Sequence, residues 1–176
     1  LTLSTQTGVV IAGIQLATIR NCRFSVATTS ISVTSASPVS IERNVFTAVG
    51  AATHLNLNPS TGVSSTISNN YIKTGAQAVL LTRATVPLTI SGNYFEAQTS
   101  GVLNIAGFAT NASVTGNRIL GTGTQSACIR LNSFSFGNQM AGAVYVSGMD
   151  ISNCPVGFFI QGPSAIVLWD TITGTG

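Results

Sequence analysis

Residues 88–97 read LTISGNYFEA, and their arrangement of apolar and polar positions recurs along the chain. The form is Φ-x-x-N-x-Φ, where Φ is large and apolar; STISNNYIKT lies upstream and SVTGNRILGT downstream. Taking the fourth position as an anchor gives Cys22, Asn44, Asn70, Asn93, Asn117, Met149 and Asp170, with gaps of 22, 26, 23, 24, 32 and 21 residues. Three residues before the anchors stand Ile19, Ile41, Ile67, Ile90, Val114, Val146 and Val167. Two after them stand Phe24, Phe46, Ile72, Phe95, Ile119, Ile151 and Ile172. A fixed period with fixed apolar positions is the mark of a stacked repeat.

A further apolar stretch follows each anchor: SISV, HLNL, AVLL, VLNI, ACIRL, GFFI. Each period therefore predicts two strands around a sharp turn and then a third strand. Three short strands in about 22 to 26 residues form one coil of a parallel β-helix of about seven coils. Strand alternation excludes a helical solenoid, and the Leu and Asn spacing of a leucine-rich repeat is absent. The turn between the first two strands needs a left-handed residue, a conformation Asn tolerates best after Gly. Coils about 4.8 Å apart would let Asn amides at one position bond up and down the stack as a ladder. Non-Asn anchors at Cys22, Met149 and Asp170 limit that ladder to Asn44 through Asn117.

This repeat resembles the right-handed parallel β-helix of the pectate-lyase-like superfamily, over residues 11–172. That superfamily includes pectin-degrading enzymes, enzymes acting on alginate and other uronates, and bacteriophage tailspikes. The resemblance specifies the fold and leaves the activity open. The 32-residue gap predicts a loop protruding around residues 131–142. The chain closes on TGTG with nothing like a cap. Since open strand edges are normally covered, a section of a longer fibre or spike is expected.

Composition sharpens this picture. Charged residues make up 6% of the 176, against about 25% in an ordinary soluble protein. Ser, Thr, Asn and Gly replace them, which suits strands and turns. A single domain over residues 1–176 is expected. The most apolar stretch, VGFFIQGPSAIVLW, is interrupted by Gln161, Pro163 and Ser164 and is no membrane span. Neither a signal peptide nor a starting Met is visible. Cys22, Cys128 and Cys154 have no metal-ligand spacing, and their odd number argues against a full disulfide framework. No metal or other cofactor is expected. The net charge of +3 comes without a Lys/Arg run, so no nucleic-acid partner is expected.

Four carboxylates exist: Glu42, Glu96, Asp150 and Asp170. One residue after the anchors, the outward column reads Arg23, Val45, Tyr71, Tyr94, Arg118, Asp150, Thr171. Stacked Tyr71 and Tyr94 beside Arg118 are candidate glycan contacts, since rings can pack on sugar C–H faces while charges bond hydroxyls. The bland alternative is an aromatic ladder with a surface ion pair. Lys73 and Glu96 form an expected surface pair, and Arg20, Arg23 and Arg43 gather around Glu42 as a possible anion patch. His54 reads as structural, the sequon at Asn111 as coincidence, and no G-x-S-x-G elbow occurs. The candidate catalytic pair is Asp150 with Asp170, one place apart on adjacent coils. Their carboxyls would lie about 5–8 Å apart, within the reach of glycosidase chemistry.

Together these readings predict a spike-type module that recognises a bacterial surface polysaccharide, resembling the shaft of a tailspike. The alternatives are a polysaccharide lyase, glycoside hydrolase or epimerase, and a purely structural shaft. The tailspike resemblance implies a homotrimer and an extracellular or virion-associated location.

Overall fold

A computed structural model of the chain describes residues 2–3, 7–13, 16–34, 38–48, 52–58, 64–84, 87–108, 111–125, 127–132, 143–161 and 166–174. Strands β1 (Thr2–Leu3) and β2 (Val9–Ile11) precede the first complete coil. Five coils of three separate strands follow. The first two are β3 (Ala17–Arg20), β4 (Arg23–Val26), β5 (Thr29–Val33), then β6 (Val39–Glu42), β7 (Val45–Ala48), β8 (Thr53–Leu57). The third is β9 (Ser65–Ser68), β10 (Tyr71–Lys73), β11 (Gln77–Ala84), and the fourth β12 (Leu88–Ser91), β13 (Tyr94–Glu96), β14 (Gly101–Phe108). The fifth is β15 (Ala112–Thr115), β16 (Arg118–Leu120), β17 (Ile129–Asn132). Strand β18 (Ala143–Ser152) then runs through the turn as one element, followed by β19 (Phe158–Gln161) and β20 (Ile166–Thr173).

All pairings are between equivalent strands of successive coils, and all are parallel. The third strands make a seven-stranded sheet, while the first and second strands join through β18 into a thirteen-stranded one. The fold is an all-β parallel β-helix. Five complete coils stand where seven anchors had suggested about seven, because the last two anchors, Met149 and Asp170, lie within the continuous strands β18 and β20. No helix among the described residues is long and apolar enough to cross a membrane.

The core is built from columns of like side chains. Ile41, Ile67, Ile90, Val114 and Val146 lie in register and are buried. So do Phe46, Ile72, Phe95 and Ile119, with Phe24 stacked on Phe46 at 4.9 Å and 8°. Strands form here because alternate residues face this interior: β6, β9, β12 and β15 share one burial alternation.

The Asn ladder runs from Asn44 to Asn117. Asn44 Nδ2 donates to Asn70 Oδ1 (3.0 Å), Asn70 Nδ2 to Asn93 Oδ1 (3.0 Å) and Asn93 Nδ2 to Asn117 Oδ1 (2.9 Å). Each Oδ1 also accepts the backbone N–H of the preceding anchor, beginning with Cys22 N–H on Asn44. The left-handed residue is not the anchor, as the sequence suggested, but its predecessor. Positive φ falls at Asn21, Arg43, Asn69, Gly92, Gly116 and Gly148. The preceding residue makes the bend, which frees the anchor side chain to turn inward onto backbone groups.

The same column corrects the last coil. Positive φ occurs at Thr171, and Met149 pairs with Ile172 rather than Asp170. The anchor spacing there becomes 23, the difference between Met149 and Ile172 and within the range of the other coils. Trp169 pairs with Val146 in the position expected of Val167, and Ile172 is 38% exposed rather than buried. The protruding loop expected around residues 131–142 lies mostly outside the described residues.

Candidate functional site

The outward column of the second strands is Val45, Tyr71, Tyr94, Arg118 and Asp150, each in register with the next. It faces out because the neighbouring residues, Phe46, Ile72, Phe95, Ile119 and Ile151, fill the core. Tyr71 and Tyr94 stack with centroids 5.3 Å apart and planes 18° apart. Arg118 lies over the Tyr94 ring at 5.3 Å, and its Nε meets Asp150 Oδ2 at 3.1 Å. Tyr94 is thus engaged on one side by Tyr71 and by Arg118 through its ring. The stripe therefore presents ring edges, a hydroxyl and charged groups to solvent, and not the open ring faces that sugar stacking would use.

A second column, two residues further on, holds Thr47, Lys73, Glu96 and Leu120. Lys73 Nζ and Glu96 Oε1 are 2.9 Å apart, and the Tyr71 hydroxyl donates to Glu96 Oε2 at 2.5 Å. That donation holds the Tyr71 proton and raises its pKa. The same hydrogen bond, followed by the one from Lys73, lowers the pKa of Glu96. The bond to Glu96 raises that of Lys73 in turn. At neutral pH this is a charge-balanced trio with an ionised carboxylate, a poor general acid.

Among the described side chains the carboxylates do not gather. Glu42 accepts a short hydrogen bond from Ser40 and lies beside Arg20 in register. Asp150 is occupied by Arg118. Asp170 pairs through its backbone with Ser147, which places it three positions along the coil from the level of Asp150, not one. The short separation inferred for this pair rested on the misplaced anchor; the Asp170 side chain lies outside the described residues. No group of three or more His, Cys, Asp or Glu suited to a metal occurs among the described residues. Arg20, Arg23 and Arg43 are all exposed around the first two turns.

His54 is fully buried. Its Nε2 lies 2.8 Å from the Thr74 carbonyl, which can only accept, so Nε2 carries the proton. Nδ1 then accepts from the Ser30 hydroxyl at 3.1 Å. Burial pushes the imidazole pKa down. Gly75, at φ +106°, makes room: a Cβ there would meet Ala52 O at 2.8 Å and His54 Nε2 at 3.1 Å. Asn111 is exposed, and its Oδ1 accepts the Ala143 N–H at 3.0 Å.

Two features escaped the sequence reading. Cys128 and Cys154 form a disulfide with a Cα–Cα distance of 5.9 Å, leaving Cys22 free and exposed. Their separation of 26 residues, about one coil, was the available signal. The second is a groove of about 360 Å³ bordered by Tyr145, on the first-strand face. No motif marks it, since its lining residues are ordinary Ser, Thr, Pro, Asn, Ala and Leu beside the tyrosine.

Comparison with protein families settles the fold's kinship. The family model described as "right handed beta helix region" matches residues 7–167. The chain belongs to this right-handed β-helix family. Comparison with curated proteins and with solved structures gives no match.

Proposed function

We propose that this β-helix is a glycan-recognising module of an extracellular or virion-associated spike, binding a bacterial surface polysaccharide. The observation that carries the reading is the outward stripe of half-buried Tyr71 and Tyr94 with exposed Arg118, flanked by the Lys73–Glu96 and Arg118–Asp150 pairs. On a surface with 6% charged residues in the chain, this stripe concentrates polar recognition groups. Sugar hydroxyls would meet the ring edges and charged groups rather than open ring faces. The disulfide supports an oxidising location, where such bonds persist. The test is an array of bacterial polysaccharides probed with the full chain. Tyr94→Ala weakens binding severalfold while the thermal midpoint barely moves; an array on which nothing binds refutes the reading.

A purely structural shaft is the second reading. It is favoured by the way Tyr71, Tyr94 and Arg118 spend their contacts on one another. In that case Tyr94→Ala lowers the thermal midpoint and touches no ligand. We further propose that the protein is a homotrimer, in keeping with the tailspike resemblance and with a chain in which only 6% of residues are charged. Sedimentation of the protein yields three copies per particle; a monomer at high concentration overturns this.

A further inference from the structure

The first strands carry their own outward columns, on the other side of the Asn turn from the Tyr71–Arg118 stripe. Thr66, Thr89, Ser113 and Tyr145 follow one another in register on β9, β12, β15 and β18. Ser68, Ser91, Thr115 and Ser147 make a second such row two residues on. Successive hydroxyls in each row are spaced by the coil repeat, about 4.8 Å. At the edge of this face lies the groove of about 360 Å³, lined by Pro87, Thr89, Asn111, Ser113, Ala143 and Tyr145 among others. That size is at the low end for ligand sites, which run about 300–1,000 Å³.

Tyr145 differs from the other two tyrosines. Tyr71 commits its hydroxyl to Glu96, and Tyr94 is engaged by Tyr71 and Arg118. Tyr145 is 41% exposed, and no aromatic, cationic or hydrogen-bonding partner engages its side chain among the described residues. Asn111 accepts from Ala143 through Oδ1, and its amide nitrogen has no partner among the described residues. The groove lining is mostly carbon, from the Tyr145 ring, Pro87, Leu88 and two alanines, and it carries a few hydroxyls that both donate and accept, an amide donor and no charge.

Charge selects the ligand class. An anionic chain would find no cation in this lining. An aliphatic one would strip water from the hydroxyls without replacing it. A neutral polyhydroxylated chain satisfies both surfaces, its C–H groups on the ring and its hydroxyls on Thr89, Ser113 and Asn111. We propose that the Tyr145 groove is a subsite for a neutral saccharide, a deepening that rests on the reading of the chain as a glycan-binding module.

The test measures binding of the full chain to immobilised neutral gluco-, manno- and galacto-oligosaccharides, with polygalacturonate and alginate as charged comparators. Tyr145→Ala weakens neutral-sugar binding about tenfold, and Thr89→Val weakens it severalfold; both side chains point outward, so circular dichroism stays unchanged. Binding persists at high salt, because no ion pair is involved. Neutral-sugar binding that survives both replacements overturns the proposal, as does binding confined to the charged polymers. If Tyr94→Ala alone abolishes binding, the groove is refuted and the module reading stands. If no glycan binds at all, both fall together.

Discussion

His54 contributes to the protein's response to mild acid. It is buried against Ser30, Phe46, Thr74 and Gly75, and no carboxylate among the described residues is bonded to it. Its folded pKa lies below the ordinary imidazole value of about 6.5 because burial disfavours the cation. Below about pH 6.5 the unfolded chain takes up a proton that the folded chain does not. Stability is therefore full above that pH, falls as pH drops through it, and stops falling from this source once the folded pKa is reached. The slope is at most about 1.4 kcal/mol per pH unit. Thermal midpoints across the range from neutral to mildly acidic check this. His54→Gln, which cannot titrate, flattens the profile; an unchanged profile would assign the acid response to other groups.

The tight turn is the element on which the solenoid's regularity depends. Asn93 alone accepts from the Asn70 backbone and side chain, and donates to Ile67 O and Asn117 Oδ1. Asn93→Ala takes the side-chain partner from the buried Asn70 N–H and Ile67 O, at about 1–3 kcal/mol each, while the Asn70 amide keeps Ile41 O and the Asn117 amide keeps the residue-93 N–H. A total loss of about 3–4 kcal/mol is expected in denaturant unfolding. The ladder ends at Met149, whose sulfur takes a weak 3.6 Å contact from Asn117 Nδ2. Anchor loss in the middle of the ladder should therefore cost more than loss at Met149. Equal costs at the two positions would show that side-chain packing, not the amide ladder, holds the turn.

At the scale of the whole molecule, coils contact only their neighbours, so stability is a sum of local interfaces. The Cys128–Cys154 bridge links two such coils near the end of the described stack. Closing a loop of this length limits the unfolded chain by about 3 kcal/mol. Thiol titration of the native protein finds one reactive cysteine, Cys22. Reductant exposes the other two and lowers the thermal midpoint. Three reactive thiols before reduction would contradict the bridge.

The sequence alone determined the architecture. A core that repeats every coil forces an apolar residue at the same two positions each time, so the period is written at Ile67, Ile90, Ile72 and Phe95. The ladder was legible for the same reason: an inward amide must have an equivalent amide above and below it. Phase at the last coil was not legible. Val167 and Trp169 both offer an apolar residue three places before a possible anchor, and pairing with β18 chose the second. The candidate site was half legible. Which residues share the Tyr71–Arg118 column, and that its two tyrosines stack, follows from spacing, but the hold of Glu96 on the Tyr71 hydroxyl does not. The Tyr145 groove left no mark in the sequence and the disulfide only the one-coil spacing of its cysteines, because each depends on where side chains from different coils meet in space. Repetition writes the backbone's path into the sequence, whereas rotamers and the irregular connections between coils decide what the surface offers.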